Sequence, residues 1–156
     1  MERKITSEVP KLIGEKVKLA GWVQSRRDHG QIIFIDLRDR EGLIQLVFGP
    51  GNKELYQKAD QLRPEWVISI EGEVKKRPKG MTNPKILTGQ VEILIEKLEI
   101  LSQAKTLPFD IDSDGYKINE ERRLKYRYLD LRRPRMRRNL EIRQKVIQFM
   151  RDFLIK

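Results

Sequence analysis

Between residues 16 and 100 the chain alternates apolar and polar positions in short runs broken by Gly, Pro and Asp. That period of two is the mark of half-buried strands. Lys16 to Arg27 is the first run, with Val17, Leu19, Gly21 and Val23 in one phase. Asp28-His29-Gly30 turns the chain into Gln31 to Arg38, and Asp39 to Gly42 turns it again into Leu43 to Phe48. The period then changes: Leu55, Ala59 and Leu62 within Asn52 to Leu62 fall at helical spacing. A fourth strand is predicted over Trp66 to Arg77, a Pro/Gly-rich loop over Pro78 to Pro84, and a fifth strand over Val91 to Ile100. The fifth changes phase after Ile95, which predicts a bulge near Glu96-Lys97.

Three strands, a helix and two more strands is the element order of a five-stranded Greek-key OB barrel. Gly21 inside the long first strand suits the sharp bend such a strand makes. An SH3-like barrel is the alternative, but it has no helix at this point. The expected fold is therefore mainly β, with a helix between strands three and four, then a linker and a C-terminal helix. The expected divisions are a barrel over 1–103, a linker over 104–118 and a separate helical segment over 119–156.

Strand parity turns the pattern into a surface. If Ile33, Ile35 and Leu37 point inward, Phe34, Asp36 and Arg38 point outward. By the same rule Gln45 and Glu92 face out from the third and fifth strands. An OB fold binds oligonucleotides on this face, between the first-to-second and fourth-to-fifth strand loops. Here those loops carry Arg26, Arg27 and His29, and Arg77, Gly80 and Asn83. An exposed Phe34 offers a stacking platform; Gln45 and Glu92 offer base-edge hydrogen bonds. Each has a plainer reading: Phe34 packed against the helix or a neighbouring domain, Gln45 solvated, Glu92 paired with a lysine. His29 is the only histidine and has no second ligand candidate beside it.

Asp110 to Gly115 resembles a calcium loop, but lacks the distal Glu that closes one, so it reads as linker. From Asn119 the chain becomes helical and basic, and Asn139 to Ile155 places Ile142, Val146, Phe149, Met150 and Phe153 on one face. A stripe with nothing to bury it reads as part of a longer protein. Of the formal net charge of +10, residues 1–116 contribute almost none, with 19 Lys/Arg against 18 Asp/Glu. Residues 117–156 hold 14 against 5. The absence of cysteine excludes disulfides and thiolate metal sites and points to a reducing cytoplasm. No stretch reads as a signal peptide or a membrane span.

GWVQSRRDHGQIIFIDLRDREGLIQLVF (21–48) and RLKYRYLDLRRP (123–134) resemble bacterial-type aspartyl-tRNA synthetases, and the resemblance extends over essentially the whole chain. It implies an anticodon-binding barrel leading into a class II catalytic domain. The full-length family joins aspartate to its tRNA with ATP and Mg²⁺, through an aspartyl-adenylate, as a homodimer through the catalytic domain. By residue match, Phe34 stacks on the central uracil of the G-U-C anticodon and Gln45 hydrogen-bonds it. Glu92 reads the first-position guanine, and Arg27, Arg77 and Asn83 lie near the third base. His29 and Gly80 match the loops of enzymes that charge both aspartate and asparagine tRNAs. Gln90 departs from the family's usual Glu. The resemblance assigns no catalytic, metal or cofactor residue to this chain, which is expected to be inactive alone. A stand-alone single-stranded nucleic-acid binder and a protein-interaction barrel with Phe34 as its hot spot stay open as alternatives.

Overall fold

A computed structural model describes residues 2–155, in two compact units, one running to Thr106 and the other from Leu107. In the first unit, β1 (Lys16–His29), β2 (Ile32–Arg38) and β3 (Leu43–Phe48) precede a helix, α1 (Lys53–Gln61); β4 (Val67–Lys76) and β5 (Val91–Ser102) follow. The sheet closes on itself in the order β1-β2-β3-β5-β4. Period-two burial supplies the core: Ile33, Ile35 and Leu37 of β2 are fully buried, as are Ile44, Leu46 and Phe48 of β3. Helix α1 is capped by Asn52, whose side chain accepts a 3.0 Å hydrogen bond from the Leu55 amide, and it turns Leu55 and Ala59 into that core. Gly21 has no room for a side chain, because a Cβ there would lie 2.3 Å from the Arg38 carbonyl oxygen. Opposite Glu71 and Gly72, β5 skips Glu96, which is the bulge behind the phase change.

The expected fold, a five-stranded Greek-key OB barrel followed by a linker and one C-terminal helix, needs correction in how the sheet closes and in its C-terminal part. Closure depends on a short parallel seam: only Gln45, Val47 and the residue between them pair with β5, opposite Glu92 to Leu94. Beyond Ile95, β5 pairs with β4 alone, so the ladder is long on one side of the sheet and brief on the other. An unforeseen 3-10 helix, Thr6–Lys11, buries Val9 in the core, and Asp39 anchors it. That carboxylate accepts 2.7 Å hydrogen bonds from both the amide and the hydroxyl of Thr6.

The second unit holds three helices where one was expected: α2 (Glu120–Lys125), α3 (Arg127–Asp130) and α4 (Pro134–Ile155). α4 starts earlier than its apolar stripe because proline suits the first helical position. Arg133 is fully buried and donates to Asp130 at 2.8 Å, to the Ser113 carbonyl at 2.8 Å and to its hydroxyl at 3.0 Å. The acidic segment expected to be an extended linker is thereby tied to the helices. Its aspartates make local turns: Asp110 accepts from the Asp112 amide and Asp114 from the Tyr116 amide. The apolar residues of α4 from Leu140 onward are exposed. Among the described residues no helix is long and apolar enough to cross a membrane.

Candidate nucleic-acid interface

Strand register assembles a polar row across the sheet. Ser25 of β1 lies opposite Asp36 of β2, Asp36 opposite Gln45 of β3, and Gln45 opposite Glu92 of β5. All four side chains leave the same side of the pleat, so they meet. Ser25 Oγ donates to Asp36 Oδ2 at 2.7 Å, and Arg27 Nη2 donates to Asp36 Oδ1 at 2.8 Å. Arg27 Nη2 also lies 3.4 Å from Gln45 Oε1, while Gln45 Nε2 donates to Glu92 Oε2 at 2.9 Å. The Gln45 amide thus presents its oxygen to a cation and its nitrogen to a carboxylate. Clasped from both ends, it is only 8% exposed, not the open polar residue that parity alone suggests.

The adjacent row is apolar beyond Arg27. Phe34 lies opposite Arg27 on one side and Val47 on the other, with Leu94 beyond. Its ring is half-buried, with the His29 ring meeting it edge-on at 5.6 Å. An aromatic next to an amide and two carboxylates can stack a planar heterocycle while its edge is read by hydrogen bonds.

The two loops differ in what they deliver. In the first, Arg27 points to the polar row, but Arg26 turns to α1 and pairs with Asp60. Tyr56 of α1 donates to the Gly30 carbonyl at 2.9 Å and holds this turn in place. In the second, the Arg77 amide donates to the Gln90 carbonyl at 3.0 Å and Arg77 Nε to the Val91 carbonyl at 3.1 Å. Burial pushes the Arg77 guanidinium down from its ordinary pKa, as does Arg27, against the pull of Glu92 and Asp36. Two carboxylates and two guanidiniums therefore balance around Gln45. Asn83 bonds within its own loop: its amide donates to the Gly89 carbonyl at 3.0 Å, and its side chain accepts from the Lys85 amide at 3.1 Å. Gly80 has a φ of +85° and open space around it. Met81 N donates to the Pro78 carbonyl at 3.0 Å, so Gly80 is the left-handed residue of a turn.

Phe34, Gln45, Glu92, Arg27 and Arg77 thus gather around one patch, whereas Asn83 and Gly80 stand in the loop beside it. Sequence reasoning missed Ser25 and Asp36 as parts of the patch. Parity placed Asp36 on the outer face, but its bond to Arg27 depends on cross-strand register. Tyr56 carried no signal beyond its place in the helix. Among the described residues no three His, Cys, Asp or Glu side chains cluster to hold a metal ion.

Residues 17–101 match a family model described as an OB-fold nucleic acid binding domain, and residues 119–156 match one for class II tRNA synthetases (D, K and N). An aspartate–tRNA(Asp/Asn) ligase of Halothermothrix orenii is 57% identical over 143 residues, covering 91% of this chain and 24% of that protein. The chain spans about a quarter of the length of the curated relatives it matches. Among solved structures, asparaginyl-tRNA synthetase from Pyrococcus horikoshii with asparaginyl-adenylate superposes with a TM-score of 0.76 at 30% identity, over 99% of this chain and 34% of that one. An OBody bound to hen egg-white lysozyme superposes at 0.57 and 25% identity, over 67% of this chain and 99% of that one. The chain belongs to the OB-fold nucleic acid binding domain family, and its sequence matches the anticodon-binding and class II segments of aspartyl-tRNA synthetases.

Proposed function

We propose that this chain is the anticodon-reading module of an aspartate–tRNA ligase, and that it recognises G-U-C. The observation that carries the reading is the amide–carboxylate pair Gln45–Glu92 beside the half-buried ring of Phe34. In this reading the central uracil stacks on Phe34 and its edge bonds to Gln45. Glu92 accepts the two N–H donors of the first-position guanine, and Arg27, Arg77 and Asn83 meet the third base and its backbone. The longer protein joins aspartate to tRNA with ATP and Mg²⁺, as a homodimer in the cytoplasm. ATP, the metal and the catalytic step belong, in this reading, to the class II domain of that protein.

The test is binding of stem-loops that carry G-U-C or a scrambled anticodon, by titration. The expected result is preference for G-U-C, with Phe34→Ala weakening it by about tenfold or more, the worth of one stacked base. Equal affinity for both loops would make the chain a general single-stranded nucleic-acid binder. RNA binding untouched by Phe34→Ala would point instead to a protein-binding face, as the lysozyme-bound relative illustrates.

The relatives' dual tRNA(Asp/Asn) designation supports a relaxed third-base reading, with His29 and Gly80 as the permissive loop residues. Loops that end in G-U-C and G-U-U are then expected to bind equally, and a marked preference for G-U-C would count against it.

A further inference from the structure

The sense of the Gln45 amide matters to a base, because uracil and cytosine present opposite patterns at the same edge. Uracil offers an N–H beside a carbonyl, whereas cytosine offers an amino group beside an acceptor nitrogen. A primary amide rotated by half a turn exchanges its donor and acceptor, and would exchange uracil for cytosine as its partner. Two contacts oppose that rotation here, Nε2 to Glu92 and Oε1 to Arg27. If Glu92 turns its lone pairs to a guanine, the Arg27 contact becomes the main restraint. Arg27 is itself half-exposed and long, so an unheld guanidinium would spread over many rotamers. Asp36 removes that freedom. It binds Arg27 Nη2 at 2.8 Å and is fixed from behind by Ser25 at 2.7 Å.

Resting on the anticodon reading above, we infer that Asp36 is a positioning residue for base selection. Braced by Ser25, it holds the Arg27 guanidinium against the oxygen of Gln45 and so sets the amide to accept uracil over cytosine. Asp36 need not touch the RNA to do this. Nor does it supply attraction, since as a carboxylate it repels phosphate.

The experiment compares the 156-residue chain with its Asp36→Ala, Ser25→Ala, Arg27→Ala and Asp36→Ala/Arg27→Ala variants on G-U-C and G-C-C stem-loops, with thermal melting of each. Asp36→Ala is expected to cut the U-over-C ratio by about tenfold, the scale of one charged hydrogen bond. Ser25→Ala should cut it less. Adding Arg27→Ala to Asp36→Ala should change the ratio no further, because both act through one contact. An Asp36→Ala chain that melts like the wild type but binds both loops more weakly, with their ratio unchanged, overturns the inference. So does an unchanged ratio in Ser25→Ala if Asp36→Ala does not fold. If the wild-type chain shows no preference for uracil, the anticodon reading itself fails and takes this inference with it. A wild-type preference that survives in Asp36→Ala overturns only the role of Asp36.

Discussion

A methyl group on Gly89 would lie 1.7 Å from the carbonyl oxygen of Asn83, so the loop between β4 and β5 closes only around a glycine. The same two residues are joined by the Asn83 amide and the Gly89 carbonyl, which makes them the neck of the loop. Thr88 beside them hydrogen-bonds the Leu43 carbonyl and ties the neck to β3. Gly89→Ala is therefore expected to spread the neck and displace Asn83. The cost should be about 1–3 kcal/mol, the usual scale of overpacking, measured by denaturant unfolding. Stem-loop affinity should fall with it, whereas an alanine at Gly51, where a Cβ would meet nothing, should leave both unchanged. Gly80 obeys a different rule: its left-handed backbone resists side chains whatever the space. Any effect of substituting it on tRNA choice therefore combines turn geometry with contact.

The N-terminal 3-10 helix depends on one side chain outside itself. Burial raises the pKa of the Asp39 carboxyl, but hydrogen bonds from the Thr6 hydroxyl and the amides of Thr6, Glu41 and Gly42 outweigh it and hold the group below its ordinary value of 3.8. A carboxyl depressed on folding stabilises fully above its unfolded pKa, and that contribution drains away as pH falls through the folded value. Exchange protection of the Thr6 amide is accordingly expected to hold at neutral pH and to fade below about pH 4. In Asp39→Asn it should already be reduced at neutral pH and show no acid step; an acid step that persists in this variant would place the titrating group elsewhere. None of this was legible beforehand, because Thr6 and Asp39 are distant in sequence and leave no period. The strands were legible for the opposite reason. Ile33, Ile35 and Leu37 repeat every second residue, and that parity also set Phe34, Gln45 and Glu92 on one outer face. It could not show that Arg27 reaches Asp36 and Gln45, since this depends on the β1–β2 register and the skip at Gln24. The helical run from Asn119 was legible too, but not its division into α2 and α3, each less than two turns long.

Across the whole chain, the basic excess and the candidate reading face fall in different parts of the sequence. Residues 1–116 are almost neutral, while 117–156 carry +9 of the net +10. Within the polar row, Arg27 is paired with Asp36, and Arg77 stands near Glu92. Recognition that rests on stacking and edge hydrogen bonds releases few counterions. Each phosphate neutralised on a single strand contributes about −0.7 to the slope of log affinity against log salt. If Arg27 and Arg77 are the main phosphate contacts, the slope for a G-U-C stem-loop should be about −1 to −2. A titration series over salt concentration measures it directly. A much steeper slope, made shallower by Arg122→Gln, Arg137→Gln and Arg138→Gln, would move the main attraction to the basic helical segment. Preference between anticodons should stay nearly constant across the same series, because base-edge hydrogen bonds discriminate without net charge. A preference that vanished along with the electrostatic term would mean that the sheet face contributes little to the choice.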